Sequence, residues 1–106
     1  MDGVIRVLLV DDDPLVRSAL TLMLGGQSDI EVVGEAPNGE AGLAQVAEHR
    51  PDVVLMDIKM PRLDGIEAAS RIAEQRLAPV VLLTAFSQRE LVDSARNAGS
   101  RAPRGR

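Results

Sequence analysis

The apolar positions of this chain fall into two rhythms that alternate along its length. Val4 to Val10 is an almost continuous apolar run, as in a strand buried on both faces, and it stops at Asp11-Asp12-Asp13. Pro14 suits a first helical position with Asp13 as N-cap. Over Pro14–Leu24 the residues Leu15, Ala19, Leu22 and Met23 recur at helical spacing, and Gly25-Gly26 stops the helix. Glu31–Glu35 reads as a short strand. After the turn signal Asn38-Gly39, a second helix is expected over Gly39–His49, with Leu43, Val46 and Ala47 facing inward. His49, near its end, complements the helix dipole. Val53–Met56 is a third buried strand, stopping at Asp57. A loop from Ile58 to Leu63 precedes a third helix from about Asp64 to Gln75, with Asp64 as a cap. Pro79 opens a fourth strand, Val80–Leu83, which ends at Thr84. Ser87 and Glu90 form a capping box for a fourth helix ending near Gly99.

The order βαβαβαβα predicts an α/β fold, a doubly wound parallel sheet with helices on both faces. The alternation then breaks. Arg101-Ala102-Pro103-Arg104-Gly105-Arg106 holds three charges, a proline and a glycine, which forbid a buried strand. The expected division is one domain over residues 1–100 and an irregular basic tail over 101–106.

Composition narrows the class. Phe86 is the only aromatic residue among 106, so the core is aliphatic. With no cysteine, disulfides and thiolate metal sites are excluded. No apolar run approaches the roughly 20 residues of a membrane span, and the first residues lack a signal-peptide pattern. A cytoplasmic protein without membrane contact is therefore expected. The net charge is −4, and the last six residues hold three arginines and no acid. The body before them is thus more acidic still, which argues against direct nucleic-acid binding.

Three features fall at strand C-termini: Asp11-Asp12, Asp57 and Thr84. In an open parallel sheet these ends share one edge, where ligands bind. The flavodoxin-like order 2-1-3-4-5 sets strands one and three side by side, bringing Asp11, Asp12 and Asp57 into one pocket. An acidic pair alone would be a solvated turn. The three together, at matching ends of neighbouring strands, point to a site. Clustered carboxylates repel and call for a cation, and hard oxygen ligands without Cys or a nearby His point to Mg²⁺. Asp57 can then be a nucleophile toward a phosphoryl group, with the Thr84 hydroxyl across the pocket.

At these residues the chain resembles the receiver domains of two-component response regulators. Val10-Asp11-Asp12-Asp13-Pro14-Leu15-Val16-Arg17 and Met56-Asp57-Ile58-Lys59-Met60-Pro61-Arg62-Leu63-Asp64-Gly65 are similar to the two defining stretches of that family, and Leu82-Leu83-Thr84-Ala85 to the third. The resemblance covers about residues 4–99. It implies Asp57 as phosphoacceptor, Asp12 as a direct Mg²⁺ ligand with Asp11 nearby, and the Lys59 backbone carbonyl as a further ligand. It also implies Thr84 as the switch hydroxyl, Ala85 as a small residue leaving the pocket open, and Phe86 at the pocket mouth. A sensor histidine kinase is the implied partner. The protein would not be an enzyme beyond its own phosphorylation and dephosphorylation.

Residues 66–99 are similar to receivers joined to RNA-binding antiterminator domains, and the front half to receivers joined to helix-turn-helix DNA-binding domains; no output domain is in this chain. The family continues into a fifth strand, a Lys-Pro pair and a fifth helix. Here these are missing, and the family lysine that contacts the phosphoryl group has no counterpart, since Lys59 sits in the loop after Asp57. The expected sheet order is therefore 2-1-3-4, in a C-terminally incomplete receiver. The missing helix would leave part of one sheet face uncovered, and self-association through the fourth-strand edge is expected. Two alternatives remain open. One is a binding-only or non-functional receiver fragment. The other is a haloacid-dehalogenase-like phosphohydrolase using Asp11, which would leave Asp57 idle.

Overall fold

The computed structural model describes residues 3–57, 65–74, 78–83 and 88–101. Four strands, β1 (Ile5–Val10), β2 (Ile30–Ala36), β3 (Val53–Asp57) and β4 (Val80–Leu83), alternate with α1 (Pro14–Gly25), α2 (Gly39–His49), α3 (Gly65–Glu74) and α4 (Gln88–Arg101). The strands form one sheet in the order β2-β1-β3-β4, and each adjoining pair is parallel. The sheet is therefore the doubly wound one that the alternating pattern predicts.

The sheet's two faces carry separate cores. Ile5, Val7 and Leu9 of β1 point to one face with Val53 and Leu55 of β3, while Leu8, Val10, Val54 and Met56 point to the other. This split is the two-residue period of a strand applied to runs that are apolar throughout. Right-handed crossovers put α1, which leads leftward to β2, on the first face. They put α2 and α3, which lead rightward, on the second. Leu24 of α1 is buried in the first core, and Val46 of α2 and Ile72 of α3 in the second.

α4 lies on the first face, beside α1, where Val92 and Ala95 are buried with Ile5, Leu9 and Leu55. A strand added beyond β4 would have required α4 on the opposite face by the same handedness rule. The face that the sequence led us to expect partly bare is occupied by this helix. Its docking is close: a Cβ placed on Gly99 would lie 2.3 Å from the Ile5 Cγ2. Arg96 fixes the helix from the side, donating from Nε to Asp29 Oδ2 at 2.7 Å and from Nη2 to Gln27 Oε1 at 2.7 Å, in the turn before β2.

Several element details differ from the sequence reading. β2 is one residue longer at each end, and β3 includes Asp57. β2 also contains an irregularity: Val7 pairs with Val32 but Leu8 pairs with Gly34. A Cβ added at Gly34 would meet Gln45 Oε1 at 2.6 Å and Leu8 Cδ1 at 3.1 Å, the ends of two side chains that would have to shift to admit it. In α1 the inward residues are Leu20, Met23 and Leu24, whereas Leu15 is 79% and Leu22 81% exposed. In α2, Val46 is buried and Leu43 packs on the core, but Ala47 is exposed, and Gly42 takes the inward position against Val10. α4 extends through Arg101, one residue into the expected tail; Asp64, Ser87 and residues 102–106 lie outside the described residues.

Candidate metal and phosphoryl site

The ladder between β1 and β3 ends on the pair Val10 and Met56, so the next residues, Asp11 and Asp57, emerge side by side at one sheet edge. Asp12 follows Asp11 as the chain turns into α1. One carboxylate oxygen from each of Asp11, Asp12 and Asp57 lies within 4.8 Å of the others. The acid pocket expected from matching strand ends is thus assembled by the sheet itself.

The three carboxylates differ in environment. Asp11 is buried, at 5% exposure, while Asp57 is half-buried and Asp12 exposed. Asp11 is also fixed. Its N–H donates to the Ala36 carbonyl at 3.0 Å, and its Oδ1 accepts the Asp13 N–H at 2.8 Å. Burial pushes the Asp11 carboxyl above its ordinary value. The Asp13 N–H opposes this, and the charges of Asp57, Asp12 and Asp13 push it further up. A cation placed among the three would relieve that repulsion. Three oxygen donors of this kind, with no sulfur or imidazole among them, fit Mg²⁺.

Asp13 takes no part in the cluster. It caps α1, its Oδ1 accepting the Leu15 N–H at 2.9 Å, as the Asp-Pro junction predicts. Asn38 plays the same role for α2, accepting the Ala41 N–H at 2.8 Å. Lys59, Thr84, Ala85 and Phe86, the other expected site residues, lie outside the described residues.

The structure adds a residue that the sequence reading passed over. Arg17, one turn into α1, donates from Nη1 to the Asp11 carbonyl at 2.6 Å and from Nε to Glu35 Oε1 at 3.1 Å. The Thr21 hydroxyl donates to the other Glu35 oxygen at 3.2 Å, and Gln45 Nε2 donates to the Glu35 carbonyl at 2.6 Å. A signal was available: a cation near a helix N-terminus opposes the helix dipole, and such a placement calls for a compensating partner.

Comparison with known proteins gives concordant results. A family model described as the response regulator receiver domain matches residues 7–102. The chain is 53% identical over 97 residues to the transcriptional regulatory protein PdtaR of Mycobacterium tuberculosis (strain CDC 1551 / Oshkosh), a match covering 92% of this chain and 47% of PdtaR. It is 45% identical over 84 residues to the transcriptional regulatory protein BtsR of Shigella flexneri, covering 79% of this chain and 35% of that protein. The chain therefore spans about half the length, or less, of these curated relatives. Among solved structures, the response regulator domain of Thermotoga maritima CheB superposes with a TM-score of 0.85 at 30% identity, covering 94% of this chain and 99% of that one.

Proposed function

The chain belongs to the response regulator receiver domain family, and on that premise we propose that it accepts a phosphoryl group on Asp57 from a sensor histidine kinase, with Mg²⁺ held by Asp11 and Asp12. The observation that carries this reading is the convergence of three carboxylates within 4.8 Å at the end of β1 and β3. Asp57 is the half-buried member on the neighbouring strand, reachable by a donor. An oxygen of Asp57 attacks the phosphorus of a phosphohistidine. A new O–P bond forms, and the P–N bond breaks with its electron pair going to the imidazole nitrogen. Bound Mg²⁺ would neutralise charge on the phosphoryl oxygens. Asp12, exposed at the pocket rim, is the direct ligand in this reading, and Asp11 lies behind it. The Lys59 carbonyl would complete the metal's ligands. Thr84 would offer its hydroxyl to the phosphoryl group, with Ala85 and Phe86 at the pocket's opening.

On this reading the domain is a signalling element rather than an enzyme. One relative, a protein-glutamate methylesterase/protein-glutamine glutaminase of Syntrophomonas wolfei, is an enzyme, but the match covers only 24% of it. A hydrolase reading with Asp11 as nucleophile is disfavoured by its burial and by the Asp13 N–H that occupies its Oδ1. The relatives named transcriptional regulators suggest that the signal passes to gene expression in a longer protein. We place the domain in the cytoplasm, where a kinase would deliver the phosphoryl group. Incubation with a small acyl phosphate tests the reading. Label is expected with Mg²⁺ and lost with a chelator or in Asp57→Asn; label persisting in that variant would overturn the assignment.

A further inference from the structure

Arg17 stands at the junction of three elements that frame the acid pocket. It is on α1, bonds the carbonyl of Asp11 at the end of β1, and pairs with Glu35 near the end of β2. Its side chain is only 18% exposed. Coulomb's law alone makes this cation unhelpful to a metal site, because a positive charge beside three carboxylates competes with Mg²⁺. Its bonds offer a different use. A carbonyl that accepts a guanidinium N–H at 2.6 Å is held in one orientation, and the Asp11 side chain and the following Asp12 leave the same short stretch of backbone. The Asp13 N–H that binds Asp11 Oδ1 is two residues further on, so the turn is tied to the Asp11 carboxylate as well as to its carbonyl. Glu35, which accepts from both Thr21 and Arg17, anchors the guanidinium on the β2 side.

We propose that Arg17 is a positioning residue for the metal-binding turn, holding the Asp11 carbonyl so that Asp11 and Asp12 converge with Asp57, while Glu35 anchors Arg17. The inference rests on the reading that this acid cluster takes Mg²⁺. Residues that orient ligating groups typically contribute about 10–100-fold to metal affinity. The planar guanidinium presents its donors in a rigid, spread fork, whereas an ammonium's three donors all sit on one nitrogen at the end of a flexible stem.

Two substitutions separate position from charge. If Arg17 acts only by its charge, Arg17→Gln binds Mg²⁺ more tightly and Arg17→Lys binds it unchanged. If it positions the turn, both bind Mg²⁺ more weakly, by about tenfold. Titration of the full chain with Mg²⁺, followed by backbone amide NMR, reads the affinity. A second reading needs no metal. The Asp13 amide, bonded to Asp11 Oδ1, is expected to shift in both variants, while the Ala41 amide, capped by Asn38, stays in place. Should Arg17→Gln fail to fold, Arg17→Lys alone decides between unchanged and weakened binding. Variants binding as tightly as wild type, or Asp13 and Ala41 amides shifting together, would overturn the inference while leaving the metal reading intact. A wild-type chain that takes no Mg²⁺ would overturn that reading, and the inference with it.

Discussion

Three consecutive aspartates after β1 have the same chemistry and three different fates, each set by where the backbone points. Asp11 turns inward and is fixed by backbone bonds, Asp12 projects to solvent beside Asp57, and Asp13 caps α1. Single substitutions should therefore separate cleanly. Asp13→Ala is expected to cost about 1 kcal/mol of stability through the lost cap and little Mg²⁺ affinity. Asp12→Ala is expected to weaken Mg²⁺ binding by more than Asp13→Ala does and to leave stability within about 0.5 kcal/mol, as for an exposed side chain. Metal titration together with urea melts measures both quantities, and equal losses of affinity would contradict the division of roles. The sequence revealed this division in part. Asp13 before Pro14 is a cap signal, and strand-end acids are a site signal. The Arg17 bond to the Asp11 carbonyl was not visible, because it depends on how the backbone turns from the end of β1 into α1.

Among the elements, α4 has the most to distinguish. Replacing a helical glycine with alanine ordinarily gains up to about 1 kcal/mol. At Gly99 the new Cβ would meet a β-branched side chain at 2.3 Å, and overpacking of this kind costs about 1–3 kcal/mol. Gly99→Ala is therefore expected to destabilise the fold. Ile5→Ala removes the clashing Cγ2, so the double variant should be less destabilised than the two single effects added. Simple additivity in chemical denaturation would show that α4 does not dock against β1 as described.

The Arg96–Asp29 pair makes α4 docking sensitive to acid. The Arg96 guanidinium holds the Asp29 carboxyl below its ordinary value. A carboxyl depressed by folding contributes stability that is fully present above its unfolded value and is lost as pH falls through the folded one. The contribution should fade below about pH 4, and Asp29→Asn should flatten that part of the thermal midpoint against pH. An unchanged acid slope in that variant would assign the effect to other groups.

How far the elements were legible follows from the same residues. The strands announced themselves, since Val7 to Val10 and Val53 to Met56 are apolar without interruption and end at charges. α1 was harder, because Leu15, Val16, Ala19, Leu20, Leu22, Met23 and Leu24 surround the helix and offer more than one apolar stripe. The sheet uses Leu20, Met23 and Leu24, and leaves Leu15 and Leu22 in solvent. The face chosen by α4 was not legible at all. Handedness fixes a helix only when a strand follows it, and the Arg96 and Gly99 contacts that settle the matter span the whole chain.

At the scale of the molecule, the four strands among the described residues form a sheet with β2 and β4 at its edges. Among the described residues β4 pairs only with β3, and Val80 and Val81 are half-buried. An apolar edge without charged residues is a template for another strand. We expect concentration-dependent self-association through β4, seen as a rising sedimentation coefficient across a dilution series. The exposed Leu22 on α1 is the competing seam. Association should survive Leu22→Glu if the strand edge is responsible, and disappear if α1 is.

Phosphorylation of Asp57 is open to a chemical mapping experiment. The chain is treated with an acyl phosphate and Mg²⁺, reduced with borohydride to convert any aspartyl phosphate to homoserine, and mapped by peptide mass spectrometry. The converted residue is expected to be Asp57, and the conversion is expected to vanish without Mg²⁺. Conversion at Asp11, or at neither position, would contradict it.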